Sequence, residues 1–125
     1  MKANELMVGD WVAYRRDFPD KVDAIAIGGL SVHLEKDGWL RVDDIQPVCL
    51  TPKILEKNGF SQDPLNGHIF VFDKNSGEVI YYEFGPKYGL TIDNQSATIQ
   101  DLKIKHIHEL QHALRLCRID KEIEL

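Results

Sequence analysis

The chain has 125 residues, 43% of them hydrophobic and 28% charged, with a formal net charge of −5. That length holds one compact domain or two very small lobes sharing a core, and the composition is ordinary for a globular protein. No basic run supplies an electrostatic footprint for DNA or RNA, and no apolar run approaches the length of a membrane span.

Met1-Lys2-Ala3-Asn4-Glu5 lacks the apolar core of a signal peptide. Cys49 and Cys117 each sit among apolar neighbours and read as reduced core thiols. The compartment expected from both is the cytoplasm.

Leu6 to Tyr14 opens the fold. Gly9-Asp10 is turn chemistry, and Trp11 to Tyr14 is a short strand rich in β-formers. Arg15 to Lys21 reads as a charged loop containing Pro19. Val22 to Ile27 returns as a strand, Gly28-Gly29 is a hairpin signal, and Leu30 to Leu34 pairs back with Leu30, Val32 and Leu34 facing in. Lys36-Asp37-Gly38 turns the chain again into a strand over Trp39 to Val42. A tight turn at Asp43-Asp44-Ile45 leads to a closing strand over Pro47 to Leu50. Short strands joined by tight turns fit a small barrel over residues 1–50. The Leu6-x-x-Gly9-Asp10-Trp11-Val12 opening, followed by these strands, resembles the SH3-like barrels of the KOW and Tudor kind. In those families a basic loop or an aromatic cage binds the ligand. Trp11, Tyr14 and Trp39 are the aromatic candidates here, with core packing expected for at least two of them.

Residues 51–60 predict a connecting helix. Thr51 caps it, Pro52 suits the first helical position, and Asn58-Gly59 stops it, with Phe60 folding back in Schellman fashion. Ser61 to Gly67 is a polar loop. His68 to Phe72 and Glu78 to Phe84 are strands about a turn at Asn75-Ser76-Gly77. Leu90 to Ile92 is a third strand, a turn follows at Asn94 to Ser96, and Thr98 to Ile104 is a fourth. At His106 the apolar period changes from two to 3.6, where a helix begins. Asp120 to Leu125 alternates and suits an edge strand. Residues 61–125 thus read as an antiparallel meander with one helix across it. The expected class is α+β, and edge strands at Leu90 to Ile92 or in the tail suit pairing into a homo-oligomer.

Inside the last helix lies His108-Glu109-Leu110-Gln111-His112, spelling H-E-x-x-H. In a zinc peptidase the two histidines, one turn apart, hold the metal and the glutamate is the general base. Here Ile107, Leu110, Ala113, Leu114 and Cys117 form the apolar stripe, which places His108 and His112 on the opposite, solvated face beside Arg115. A catalytic zinc needs a third protein ligand. Asp120, Glu122, Glu124, His68 and His106 are candidates, none at a recognised spacing, and Arg115 and Arg118 stand where the longer metzincin pattern has Gly and His. The spelling reads as coincidence on the outer face of a core helix, with no catalytic, metal or cofactor-binding residue assigned. If the chain is a metallohydrolase, Glu109 is its base and His108 and His112 its ligands.

The carboxylate groupings Asp43-Asp44 and Asp17/Asp20/Asp23 lack the spacing and glycine of a calcium loop and read as turn and surface charge. Tyr81-Tyr82 puts one ring on each face of its strand, so one is exposed as mild evidence of a contact surface.

The blocks Lys2 to Leu6 with Val8 to Val12, Ile45 to Thr51 running into Ile54 to Phe60, and Ile107 to Gln111 together resemble a family of short uncharacterised proteins from anaerobic gut bacteria and their prophage-like regions. The resemblance spans nearly the whole chain and carries no activity, cofactor or site. It implies a small accessory protein of a bacterial or mobile-element genome. The function expected is a non-enzymatic binding or structural module with a protein partner and no membrane. The alternatives are a zinc-dependent hydrolase using His108 to His112 and a nucleic-acid-binding accessory protein using the barrel.

Overall fold

A computed structural model describes residues 1, 3–15, 18–73, 77–94 and 98–125. The readings that fall on Asp17, on the turn residues Asn75 and Ser76 and on Gln95 and Ser96 lie outside these residues. The chain is α+β, with two antiparallel five-stranded sheets and one main helix. It divides into two compact units, Met1–Cys49 with His106–His108, and Leu50–Lys105 with Glu109–Leu125. The helix over 51–60 therefore belongs to the second unit, and three residues from late in the chain belong to the first.

In the first unit the strands are β1 (Trp11–Arg15), β2 (Phe18–Ile25), β3 (Ser31–Leu34), β4 (Gly38–Arg41) and β5 (Gln46–Pro47). They are ordered β4-β3-β2-β1-β5. A one-turn 3-10 helix over Val42–Asp44 separates β4 from β5, which returns to the far side of β1. β2 starts at Phe18, inside the segment expected to be a loop from Arg15 to Lys21. Its first half pairs with β1 and its second half with β3, with an irregularity between Val22 and Ala24. At Pro19, opposite Ala13, only one side of the strand is paired, which is where a strand tolerates a missing N–H.

The core of this unit is Leu6, Val12, Val22, Val32, Leu34, Val42 and Ile45, with Met1, Tyr14, Ile25 and Leu40 packed against it. Leu30, expected inside with Val32 and Leu34, is exposed, as is Ile27. Both flank the Gly28-Gly29 turn, where the hairpin runs past the end of the core.

Two buried carboxylates hold the turns of this unit. Asp10 accepts from the Met7 amide at 2.8 Å and closes the turn before β1. Asp20, 2% exposed, accepts from the amides of Lys21 at 2.8 Å, Lys36 at 2.7 Å and Asp37 at 3.1 Å. It ties β2 to the β3–β4 turn and satisfies N–H groups that a tight turn leaves without a ladder partner.

In the second unit α1 (Pro52–Lys57) is capped by the Thr51 hydroxyl, which accepts from the Ile54 amide. It ends in a Schellman motif: Phe60 N–H donates to Leu55 O, Gly59 N–H donates to Glu56 O, and Gly59 has φ +90. A Cβ at Gly59 would also meet the Phe72 ring at 3.1 Å. Strands β6 (Ser61–Gln62), β7 (Ile69–Asp73), β8 (Val79–Glu83), β9 (Gly89–Asp93) and β10 (Thr98–Lys103) form a meander in the order β10-β9-β8-β7-β6. It has one strand more than expected because the polar segment after α1 pairs with β7. Phe70, Phe72, Ile80, Tyr82, Leu90 and Ile92 alternate inward and are buried. The Tyr82 hydroxyl donates to Ile104 O at 2.8 Å.

The helix α2 (Ile107–Leu116) also ends in a Schellman motif, with Ile119 N–H donating to Leu114 O, Arg118 N–H donating to Arg115 O, and Arg118 at φ +58. The tail beyond it is not the expected edge strand. Ile119 and Ile123 are buried, and the side chain of buried Asn58 takes the place of a strand partner. Asn58 Nδ2 donates to Glu124 O at 2.8 Å and to Ile54 O at 2.7 Å, while Glu124 N–H donates to Asn58 Oδ1 at 2.8 Å. The other expected pairing edge is corrected too: Leu90 to Ile92 lies in β9, hydrogen-bonded on both sides by β8 and β10.

Removing either polar clasp strands buried backbone groups. Asp20→Ala is expected to lower unfolding free energy by about 2–3 kcal/mol in urea denaturation, the cost of losing charged hydrogen bonds and orphaning their partners. Asn58→Ala is expected to cost about 1–3 kcal/mol by the same argument. Its distinguishing effect is on hydrogen exchange, where the Glu124 amide loses protection before the amides of β8 do.

Candidate functional site

Helix α2 buries Ile107, Leu110, Ala113, Leu114 and Cys117, as its 3.6-residue period requires. The buried arc is wider than that stripe. His108 is 5% exposed and Gln111 is buried as well, against the expectation that the face opposite the stripe lies in water. For His108 the clasp at the helix start adds a second packed side. Ile107 N–H donates to Val48 O at 2.8 Å, and Cys49 and His106 form an antiparallel bridge, so the first turn is enclosed by a strand segment. No sequence periodicity encodes that clasp.

The His108 ring stacks on His106, with centroids 5.8 Å apart and planes 15° apart. Glu109 is half-buried and its Oε1 accepts from the Lys105 amide at 3.1 Å, so this carboxylate serves the N-terminus of its own helix. His112 is half-buried. Of the third-ligand candidates, His68, Asp120, Glu122 and Glu124 are exposed, and Glu124 is tied by its backbone to Asn58. Among the described residues, no three His, Cys, Asp or Glu side chains are grouped as metal ligands.

The carboxylate groupings separate by role. Asp20 is inside on backbone amides, Asp23 lies against a histidine, and Asp43 pairs with Arg41 at 3.5 Å on the surface. Of Tyr81-Tyr82, Tyr82 is buried and Tyr81 exposed.

The three aromatic candidates of the first unit also differ. Tyr14 packs against the core. Trp11 faces Lys21 across the β1–β2 pairing, and the Lys21 ammonium sits 5.0 Å from the ring centroid. Trp39 is 58% exposed on the edge strand β4. Opposite it on β3, His33 meets the indole edge-on at 5.2 Å and 72°. His33 Nδ1 in turn lies 2.6 Å from Asp23 Oδ1. An ionised carboxylate only accepts, so Nδ1 is the donor, and the ring's orientation is set by Asp23. Asp23 follows inward-facing Val22 on β2, so it lies on the same outward face as His33, which sits between buried Val32 and Leu34. Asp23, His33 and Trp39 thus form one continuous, partly exposed surface in which His33 touches the indole edge-on. The sequence reading missed the grouping because Asp23 was counted with the carboxylates and His33 was given no role. The cross-strand register that joins them is long-range pairing, which no single stretch of residues contains.

Cys49, expected in a core, is exposed, and Cys117 is buried; both are free thiols. Burial pushes the Cys117 thiol above its ordinary value of 9.0.

No protein-family model matches the chain, and neither the curated proteins nor the solved structures contain a match to it.

With an aromatic disulfide reagent, the native protein is expected to give one fast thiol, Cys49, and a second only on unfolding. A thiol whose folded pKa is raised favours folding below its unfolded pKa and loses that contribution as pH rises through the folded value. Stability therefore falls with pH above about 9, and Cys117→Ala flattens that slope. Urea midpoints measured between pH 7 and pH 10 check both.

Proposed function

We propose that the chain is a non-enzymatic binding module that engages a protein partner through Trp39. The observation that carries this is the exposed indole. A large aromatic ring stands in solvent on an edge strand while His33, bonded to Asp23, touches it edge-on. Binding by a side chain already held in place loses little conformational entropy, which is why rigid aromatic residues dominate contact energies.

The first unit is read as an SH3-like barrel. Support comes from the β1–β4 meander, the 3-10 turn before β5, the return of β5 beside β1, and a long β2 shared between two pairings. The compartment is read as the cytoplasm, where an exposed unpaired thiol such as Cys49 persists. No helix among the described residues is long and apolar enough to cross a membrane. The biological setting proposed is that of a small accessory protein of a bacterial or prophage-like genome.

Chemical cross-linking in bacterial lysate tests the reading. Wild-type protein is expected to give covalent adducts, with itself or with another protein, that Trp39→Ala reduces by about tenfold, the loss typical of removing one contact hot spot. Adducts of equal yield from both proteins, or none, overturn it.

A further inference from the structure

Each antiparallel sheet ends in two strands whose outer N–H and C=O groups face away from the sheet, and proteins blunt such edges by a small set of devices. Three of the four edges here carry one. β5 is two residues long and includes Pro47. β6 is also two residues long. β10 is broken by an irregularity between Ile99 and Leu102, with Asp101 forced to φ +50. β4 is different. It pairs with β3 residue for residue over Ser31–Arg41, Val32–Leu40, His33–Trp39 and Leu34–Gly38, with no shift of register. It contains no proline, and its backbone is still extended at Arg41, with φ −72 and ψ 140.

We propose that β4 is a homotypic edge, and that the partner seated on Trp39 is a second copy of this chain, added antiparallel about a two-fold axis at Leu40. This rests on the reading of Trp39 as a contact residue and names its partner. The side chains supply self-complementarity. On an antiparallel pair centred at Leu40, Trp39 of each copy lies opposite Arg41 of the other. Trp39 and Arg41 are two apart on the strand and share one face. The Arg41 side chain is 77% exposed, and its ion pair with Asp43 is a surface pair that holds it weakly. A guanidinium moved onto the exposed face of the indole makes a cation–π contact, and the symmetry makes it twice. On the other face, Leu40 of one copy meets Leu40 of the other. The β4 backbone supplies the remaining hydrogen bonds, as in strand addition to any open edge.

The test is the mass of the full chain by light scattering on size exclusion, with sedimentation over a concentration series. The expected result is a species of twice 14.3 kDa that grows with concentration. Arg41→Glu removes the cation from the tryptophan, and Trp39→Lys sets two cations against each other. Each is expected to weaken association by about tenfold or more. The double variant carrying Trp39→Lys and Arg41→Glu places lysine opposite glutamate and is expected to restore the dimer. Circular dichroism of the variants confirms that these surface changes leave the fold intact. A wild-type chain that stays at 14.3 kDa throughout, or a dimer that both single variants leave unchanged, overturns the proposal. If the wild type is monomeric while cross-linking to another protein still depends on Trp39, the contact-residue reading stands and the partner is a different protein.

Discussion

One carboxylate sets the geometry of the first unit. Asp20 projects from β2 into the interior, where an ionised group is tolerated only if hydrogen bonds replace its water. Its three backbone donors come from its own strand and from the β3–β4 turn. That requirement fixes where the turn sits, and the turn fixes the register in which β3 and β4 leave it. His33 and Trp39 face each other in that register, so the indole's position is tied to the turn that Asp20 holds. An apolar residue at position 20 could fill the space but would leave the turn amides without acceptors.

Asn58 does for the second unit what Asp20 does for the first, with neutral chemistry. Its amide offers a donor and an acceptor in the spacing of a peptide group, so it presents a strand-like edge at the end of a helix. The tail meets that edge at Glu124, and Ile123 is buried beside it. In both units, one buried polar side chain bonds backbone groups that no strand ladder takes, the β3–β4 turn in the first and the tail at Glu124 in the second. Hydrophobic burial supplies the drive to compact, and these two groups select which compact arrangement results.

Much of this architecture can be read from the residues. Thr51-Pro52 and Asn58-Gly59 bracket α1 because capping and left-handed backbone have strong residue preferences. The alternation in β7, β8 and β9 and the 3.6-residue stripe of α2 are periodic signals that one buried face imposes. The closing motif of α2 is hidden because Arg118, which has no left-handed preference, takes the position that Gly59 takes in α1. β2 begins before its apolar run because its first half is paired on one side only, a fact of topology that no window of residues contains. The burial of His108 was misread for a similar reason. A helical wheel assumes one buried side, and the clasp at Val48 and Cys49 supplies another.

The same clasp bears on how the polypeptide assembles during synthesis. The first unit takes Met1–Cys49 and then waits for His106–His108, so its last pairing closes across everything between them. A closure that long is entropically expensive and comes late, after the local hairpins of β1 to β4 have formed. As the chain leaves a ribosome, residues 106–108 emerge after all of 50–105, so the bridge between Cys49 and His106 is available only then. The two units are interleaved in sequence, and a 1–49 fragment would lack the His106–His108 segment that completes the first unit.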